Sequence, residues 1–123
     1  MAQSTKIKKR SEVPAEDTWA LEDLFENDAA WERSLAELEK VTKELAAFAG
    51  QLSDSAEKLC SYLQLMEQVS GKCELLANYC MRKSDQDTRE SANQAMTGKF
   101  MSAYVSLGAA CSFAYPLIFY HKR

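Results

Sequence analysis

Apolar residues recur at intervals of three and four positions in three stretches of the chain, and each stretch predicts one face of an α-helix. The first stripe consists of Trp31, Leu35, Leu38, Leu45 and Phe48. Asn27 or Asp28 can cap the start of this helix, and Gly50 can end it as a left-handed C′ residue. We therefore predict a first helix from Ala29 to Ala49.

The second helix is predicted to open at the sequence DSAE, where Asp54 can cap it and Glu57 can complete a capping box. Its apolar stripe consists of Leu59, Leu63, Met66, Val69, Cys73, Leu76 and Cys80. Gly71 lies inside this unbroken period, so we expect the helix to continue through it despite a cost of about 1 kcal/mol relative to alanine.

The third helix is predicted to begin at DTRE, with the same capping-box spacing from Asp87 to Glu90. Its stripe consists of Ala92, Met96, Phe100, Ala103, Leu107, Ala110 and Phe113. The helix should end near Tyr115, because Pro116 disfavours helical geometry in the residue before it. The short connection Ser84–Gln86 makes the second and third helices an antiparallel hairpin.

Small residues are frequent on the third helix and would let another helix approach closely. They are Ala92, Ala95, Ser102, Ala103, Ala109 and Ala110. They are compatible with a partner surface or with tight packing inside the bundle, and we favour packing.

The segment before the first helix carries Trp19, Leu21, Leu24 and Phe25 but is too short to form a core of its own. We expect these side chains to pack on the helices. The predicted fold is therefore all-α, with three long antiparallel helices preceded by an extended N-terminal docking segment and with no strand. The predicted division is a flexible basic arm at 1–12, the docking segment at 13–27, a helical bundle at 28–118 and an atypical tail at 119–123.

Composition indicates a folded protein of one domain or part of one, with 123 residues, 46% hydrophobic and 27% charged. A net charge of −3 gives no global attraction to nucleic acid or to an anionic membrane. The basic cluster Lys6–Arg10 has no interleaved aromatic residues, which favours a solvated arm over a nucleic-acid or lipid patch. Without an apolar span or a signal-peptide core, the chain is expected in the cytoplasm.

Residues with catalytic chemistry are few. The single histidine, His121, lies in the basic tail, and the motif His-Glu-x-x-His of many zinc enzymes is absent. The acids Glu22, Asp23, Glu26, Asp28, Asp85 and Asp87 are interpreted as caps and solvated faces. The cysteines Cys60, Cys73, Cys80 and Cys111 form no C-x-x-C pair, and we expect reduced thiols packed as small hydrophobes. We predict no catalytic, cofactor-binding or metal-binding residue in this chain.

The N-terminal motifs resemble the start of the oligoendopeptidase F family, which are zinc metallopeptidases of the thimet-oligopeptidase-like group. These motifs are Arg10-x-Glu12-Val13-Pro14, Trp19-x-Leu21-x-x-Leu24-Phe25 and Trp31. The resemblance continues through Phe48 and Gly50, the hairpin connection with Asp85, Asp87 and Thr88, and Ser112–Ile118, where the family begins another helix. It covers about residues 10–118, whereas Phe119–Arg123 departs from the family and suggests truncation.

The resemblance implies a much longer, two-lobed helical parent enzyme that hydrolyses short peptides in a deep channel. The parent's zinc motif would lie far downstream, so no zinc ligand or general base transfers to this chain. This chain would be an N-terminal lobe that helps to wall the channel, inactive alone, with the remainder of the parent as its partner. The alternative is a free-standing helical adaptor that binds partner helices through the small residues of the third helix.

Overall fold

Four α-helices make up most of the computed structural model, which describes residues 6–119. They are α1 (Asp28–Ala46), α2 (Ala56–Gln86), α3 (Ser91–Cys111) and α4 (Ala114–Phe119). Three short 3-10 turns precede them, at Arg10–Glu12, Ala15–Asp17 and Leu21–Asp23. The predicted all-α fold is confirmed, and residues 6–119 contain no strand.

Helix α1 begins at Asp28, one residue before the predicted start. Asn27, one of the two predicted caps, accepts a hydrogen bond of 2.9 Å from the Ala30 amide through its side chain. The end of the helix is three residues earlier than predicted, at Ala46. The chain beyond it tightens into turns with bonds between residues three apart, such as Phe48 N–H to the Leu45 carbonyl. Gly50 has the expected positive φ of 77°, but it lies in this turn and not at C′.

The predicted cap of α2 is wrong by one residue. The Ser55 hydroxyl, not Asp54, accepts the hydrogen bond from the Lys58 amide at 3.2 Å. The helix continues without a break through Gly71 to Gln86, as its period predicted, and includes the segment Ser84–Gln86 that was expected to be the connection.

The connection between α2 and α3 is therefore residues 87–90. Asp87 does not cap α3, because its carboxylate accepts hydrogen bonds from the backbone and the guanidinium of Arg89. Glu90 occupies the N-cap position without a side-chain hydrogen bond.

Side-chain contacts between the helices fix their directions. Lys83 near the end of α2 pairs with Asp28 at the start of α1, and Tyr62 near the start of α2 contacts Phe48 just beyond α1. These two helices are therefore antiparallel. Asn93 at the start of α3 donates to the Lys83 carbonyl near the end of α2, and Cys111 at the end of α3 contacts Met66 in the first half of α2. Helix α3 is therefore antiparallel to α2 and parallel to α1.

The core lies where α1, α2 and α3 meet. Its fully buried large side chains are Trp31, Leu38, Leu45, Leu76 and Cys80. Two predicted stripe positions are wrong, since Leu63 is 48% exposed and Ala92 is exposed. Tyr62 and Tyr79 are buried instead, because a tyrosine ring fills the core while its hydroxyl reaches a polar neighbour at the edge.

The docking segment is not extended, since it folds into the 3-10 turns. Leu21, Leu24 and Phe25 are partly buried against the core, and the Phe25 ring meets Tyr79 edge-on at 5.4 Å. Trp19 was predicted to pack on the bundle, but its side chain is 56% exposed. The Arg82 guanidinium lies over its ring, 5.5 Å from the ring centre.

The third helix ends at Cys111, four residues before the predicted end near Tyr115. Pro116 does not stop a helix here, because it lies in the first turn of α4, where a backbone N–H has no helical partner. Residues 1–5 of the predicted arm and most of the predicted tail, including His121, lie outside the described residues. The domain limits stay predictions.

Asp28 joins α1 to α2 through one carboxylate. It accepts hydrogen bonds from the Tyr79 hydroxyl at 2.8 Å and from the Lys83 ammonium at 2.5 Å and 2.7 Å. Partial burial acts to raise the pKa of Asp28, but the hydrogen bonds from Lys83 and Tyr79 outweigh it and hold the pKa below its ordinary value of 3.8. Burial and the Asp28 carboxylate raise the pKa of Tyr79 well above its ordinary value.

The two tryptophans should respond differently to truncation. Trp31→Ala should cost about 3–5 kcal/mol of unfolding free energy, because it leaves a cavity at a fully buried site. Trp19→Ala should cost only about 0.5–1 kcal/mol, the value of an exposed cation–π contact. Urea melts of the two variants and the unaltered chain test this contrast, and equal losses would contradict it.

Asp28→Asn should lower the unfolding free energy at pH 7 by less than about 1 kcal/mol, because the carboxylate is 56% exposed. Since the native pKa is depressed, the contribution is complete above the unfolded value of 3.8 and is lost as the pH falls through the native pKa. The difference between the two proteins should therefore disappear in acid.

Urea melts from pH 7 to pH 2 measure this difference. Asp23→Asn is the control, since it removes the same charge where no ion pair with a described residue is formed. A difference between Asp28→Asn and the unaltered chain that is constant with pH would show that the carboxylate charge is not what stabilises the contact.

Candidate interface between helices α2 and α3

Three of the four sulfhydryl groups, those of Cys73, Cys80 and Cys111, lie in or against the core, as predicted for thiols that act as small hydrophobes, whereas the prediction is wrong at Cys60. All four cysteines are free, and only Cys60 is exposed. Burial raises the pKa of the Cys73, Cys80 and Cys111 thiols, which disfavours the thiolate that nucleophilic or metal chemistry requires. Within residues 6–119, no cluster of three or more His, Cys, Asp or Glu side chains could hold a metal ion.

The acids at the end of α2 and in the α2–α3 connection form ion pairs with residues close to them in the chain. Asp85 pairs with Arg82 at 3.2 Å and Asp87 with Arg89 at 2.6 Å. Hydrogen bonds from the Arg89 side chain and backbone lower the pKa of Asp87 to about 2. Arg89 also donates to the Lys8 carbonyl at 3.3 Å, which connects the basic arm to the α2–α3 turn. That the chain contributes no catalytic residue stays a prediction.

Helix α3 has apolar side chains on two faces. The inner face is buried and consists of Met96, Phe100, Ala103 and Leu107. The outer face carries Met101, Tyr104 and Val105, which are 43%, 51% and 65% exposed. Among the 21 residues of this helix, Lys99 is the only charged one. A long helix with one charged residue and apolar side chains on two faces is more typical of a protein interior than of a surface.

A groove of about 610 Å³ runs between the outer face of α3 and the neighbouring face of α2. Its apolar and sulfur-containing walls include Met66, Ala77, Met81, Met101, Tyr104 and Cys111. The Cys111 Sγ lies 3.7 Å from the Met66 Sδ, and the Tyr104 ring stacks on Phe100 at 5.7 Å. Glu74 is the only charged residue that lines the groove.

The groove is suited to packing against apolar side chains. Methionine side chains are flexible and polarizable, and they adapt to the shape of a partner better than branched residues do. Tyrosine adds a large rigid surface at a small entropic cost. We therefore treat this groove as the candidate functional site, and its chemistry is that of a binding surface.

For the small residues of the third helix, the sequence favours packing inside the bundle. That interpretation is right at Ala103, which is buried, whereas Ala92, Ala95, Ser102 and Ala109 are exposed. The signal it missed is the second stripe Met101, Tyr104, Val105 and Gly108, whose spacing of three, one and three also marks a helix face.

No helix within residues 6–119 has the length and hydropathy required to cross a lipid bilayer.

Comparison with known proteins gives relatives of one kind. The chain is 34% identical to oligopeptidase PepF of Bacillus subtilis (strain 168) over 115 residues, which are 94% of this chain and 17% of that protein. It is 40% identical to the chromosomal oligoendopeptidase F of Lactococcus lactis subsp. cremoris over 114 residues, 89% of this chain and 18% of that protein. It is 28% identical to group B oligopeptidase PepB of Streptococcus agalactiae serotype III (strain NEM316) over 107 residues.

No family model matches the chain, and no solved structure matches it significantly. The chain spans about a sixth of the length of the curated relatives it matches. The resemblance seen in the tryptophan-containing motifs is confirmed, since the chain is similar to oligoendopeptidase F proteins over about nine tenths of its own length and about a sixth of theirs.

Proposed function

We propose that the chain is the N-terminal helical lobe of an oligoendopeptidase F-like zinc metallopeptidase that hydrolyses short peptides. The main support for this proposal is sequence identity to the two peptidases. The chain is 34–40% identical to them over about nine tenths of its own length and less than a fifth of each relative. In this proposal the lobe helps to wall the substrate channel, and the remainder of the peptidase is its partner. Short peptides are substrates of the parent enzyme.

The outer face of α3 supports a role as part of a larger protein. Met101 and Tyr104 expose apolar surface on the most weakly charged long helix of the described chain. Contiguous exposed apolar patches on soluble proteins commonly mark interaction sites. An adaptor would present such a groove as well, so the free-standing adaptor is the second candidate function.

The residues of this chain do not fit the zinc of the proposed parent. Asp28 and Asp87 form ion pairs with basic side chains, and burial disfavours the thiolate forms of Cys73 and Cys80. Zinc would therefore be held by other parts of the parent, and this lobe would help to shape the substrate channel. The predicted cytoplasmic location and the absence of nucleic-acid or membrane partners stay predictions.

A chimera tests the lobe proposal. In the chimera, this chain replaces the matched 114-residue region of the Lactococcus oligoendopeptidase F. Its rate of cleavage of a quenched fluorescent oligopeptide should stay within about 10²-fold of the rate of the unaltered relative. A loss of that size is expected from small misplacements far from the reacting atoms.

The matched control is the same chimera with Trp31→Ala, which should lose activity together with folding because that side chain is fully buried. A chimera that is folded and loaded with zinc but cleaves no peptide would overturn the proposal.

The 123-residue chain by itself should bind no stoichiometric zinc and cleave no peptide, because a zinc site needs several side chains in a fixed geometry with one open position. Metal analysis after dialysis and the same peptide assay measure this. One tightly held zinc per chain, or cleavage that a chelator abolishes, would show a site elsewhere in this chain.

Sedimentation separates the adaptor from the lobe, since a single defined oligomer favours the adaptor and polydisperse association favours the lobe.

A further inference from the structure

The outer face of α3 is continuous with the groove between α2 and α3. Met101, Tyr104 and Gly108 lie along one line of α3 and all border the groove. The facing wall on α2 is built from Met66, Ala77 and Met81 at comparable positions along the antiparallel helix. The apolar strip is therefore long in the direction of the helix axes, which is the shape that another helix fills when its ridge enters such a groove.

Charge at the groove is sparse and of one sign. Glu74 is exposed and is the only charged lining residue, and it forms no ion pair with a described residue. A partner that carries an apolar stripe with a lysine or arginine opposite Glu74 would complement both the surface and the charge.

We propose that this groove receives an amphipathic helix from the remainder of the peptidase, with its apolar stripe on Met101 and Tyr104 and a basic residue facing Glu74. This inference rests on the proposed function and names the partner of that lobe. The relatives have more than four fifths of their length outside the region that matches this chain, and that length is the source of the occupant.

Thiol labelling in the chimera described above tests the groove directly. Tyr104→Cys and Met101→Cys place a reporter in the groove at two positions, so the test does not depend on one variant folding. Leu75→Cys is the matched control, because Leu75 is apolar and 47% exposed, close to the 51% of Tyr104, but does not line the groove. Each variant carries Cys60→Ser to remove the exposed native thiol.

Maleimide labelling rates are compared between the full 123-residue chain and the active chimera, and mass spectrometry assigns the labelled cysteine. The groove cysteines should be labelled about tenfold or more slowly in the chimera, since a covered thiol reacts only when the cover opens. Leu75→Cys should keep its rate. A reversed charge in the groove, Glu74→Lys, should restore labelling of Tyr104→Cys in the chimera, whereas Glu74→Gln should restore it less.

Equal labelling of the groove cysteines in both proteins, with an active chimera, overturns the inference and leaves the proposed function intact. Equal slowing of Leu75→Cys overturns it as well, because shielding would not be specific to the groove. If the isolated chain sediments as a single defined oligomer and labelling of Tyr104→Cys slows as that oligomer forms, the occupant is a second copy, which also overturns the inference. A chimera that is folded and loaded with zinc but cleaves no peptide removes the proposed function and the inference together.

Discussion

The fully buried indole of Trp31 is the contact on which the arrangement of the helices depends. Its Nε1–H donates a hydrogen bond of 2.9 Å to the Leu76 carbonyl inside α2, so the first turns of α1 are fixed to the second half of α2. A carbonyl within a helix can accept this second bond through its other lone pair. Because the ring is 0% exposed and its N–H has a partner, the core gains a large apolar surface without an unpaired donor.

A polar contact on the solvent side of the core also joins the start of α1 to α2. The Asp28 carboxylate joins the start of α1 to Tyr79 and Lys83 on α2, and Phe25 of the docking segment packs edge-on against Tyr79. The docking segment is thereby held where α1 begins, although Trp19 remains largely outside this contact. Leu21, Leu24 and Phe25 pack against the core, which explains why this short segment carries so many apolar residues.

The functional interpretation depends on a different part of the molecule. The contacts of Trp31 and Asp28 lie between α1 and α2, whereas the groove lies on the solvent side of the α2–α3 pair. Met101 and Tyr104 are exposed there, while α1 covers the opposite side of α3. A three-helix arrangement can bury only one face of each helix, so a helix with two apolar faces is suited to a larger assembly.

The sequence by itself determined the elements and most of the core. The three-four spacing of apolar residues predicted three helices, the continuation of α2 through Gly71 and the Asn27 cap, because these features depend on interactions within a few residues. The family resemblance was also readable in the sequence, since Trp19, Leu21, Leu24 and Phe25 form a motif independent of the fold.

Tertiary structure decided what local patterns leave open. The two helix caps were not decided in this way. Ser55 and not Asp54 caps α2, and Asp87 pairs with Arg89, through local hydrogen bonds that compete at similar strength. The exposure of Trp19 and the burial of Tyr62 and Tyr79 depend on which side chains the other helices bring near them. The groove could not be read from one helix, because it exists only where the second apolar stripe of α3 lies beside α2.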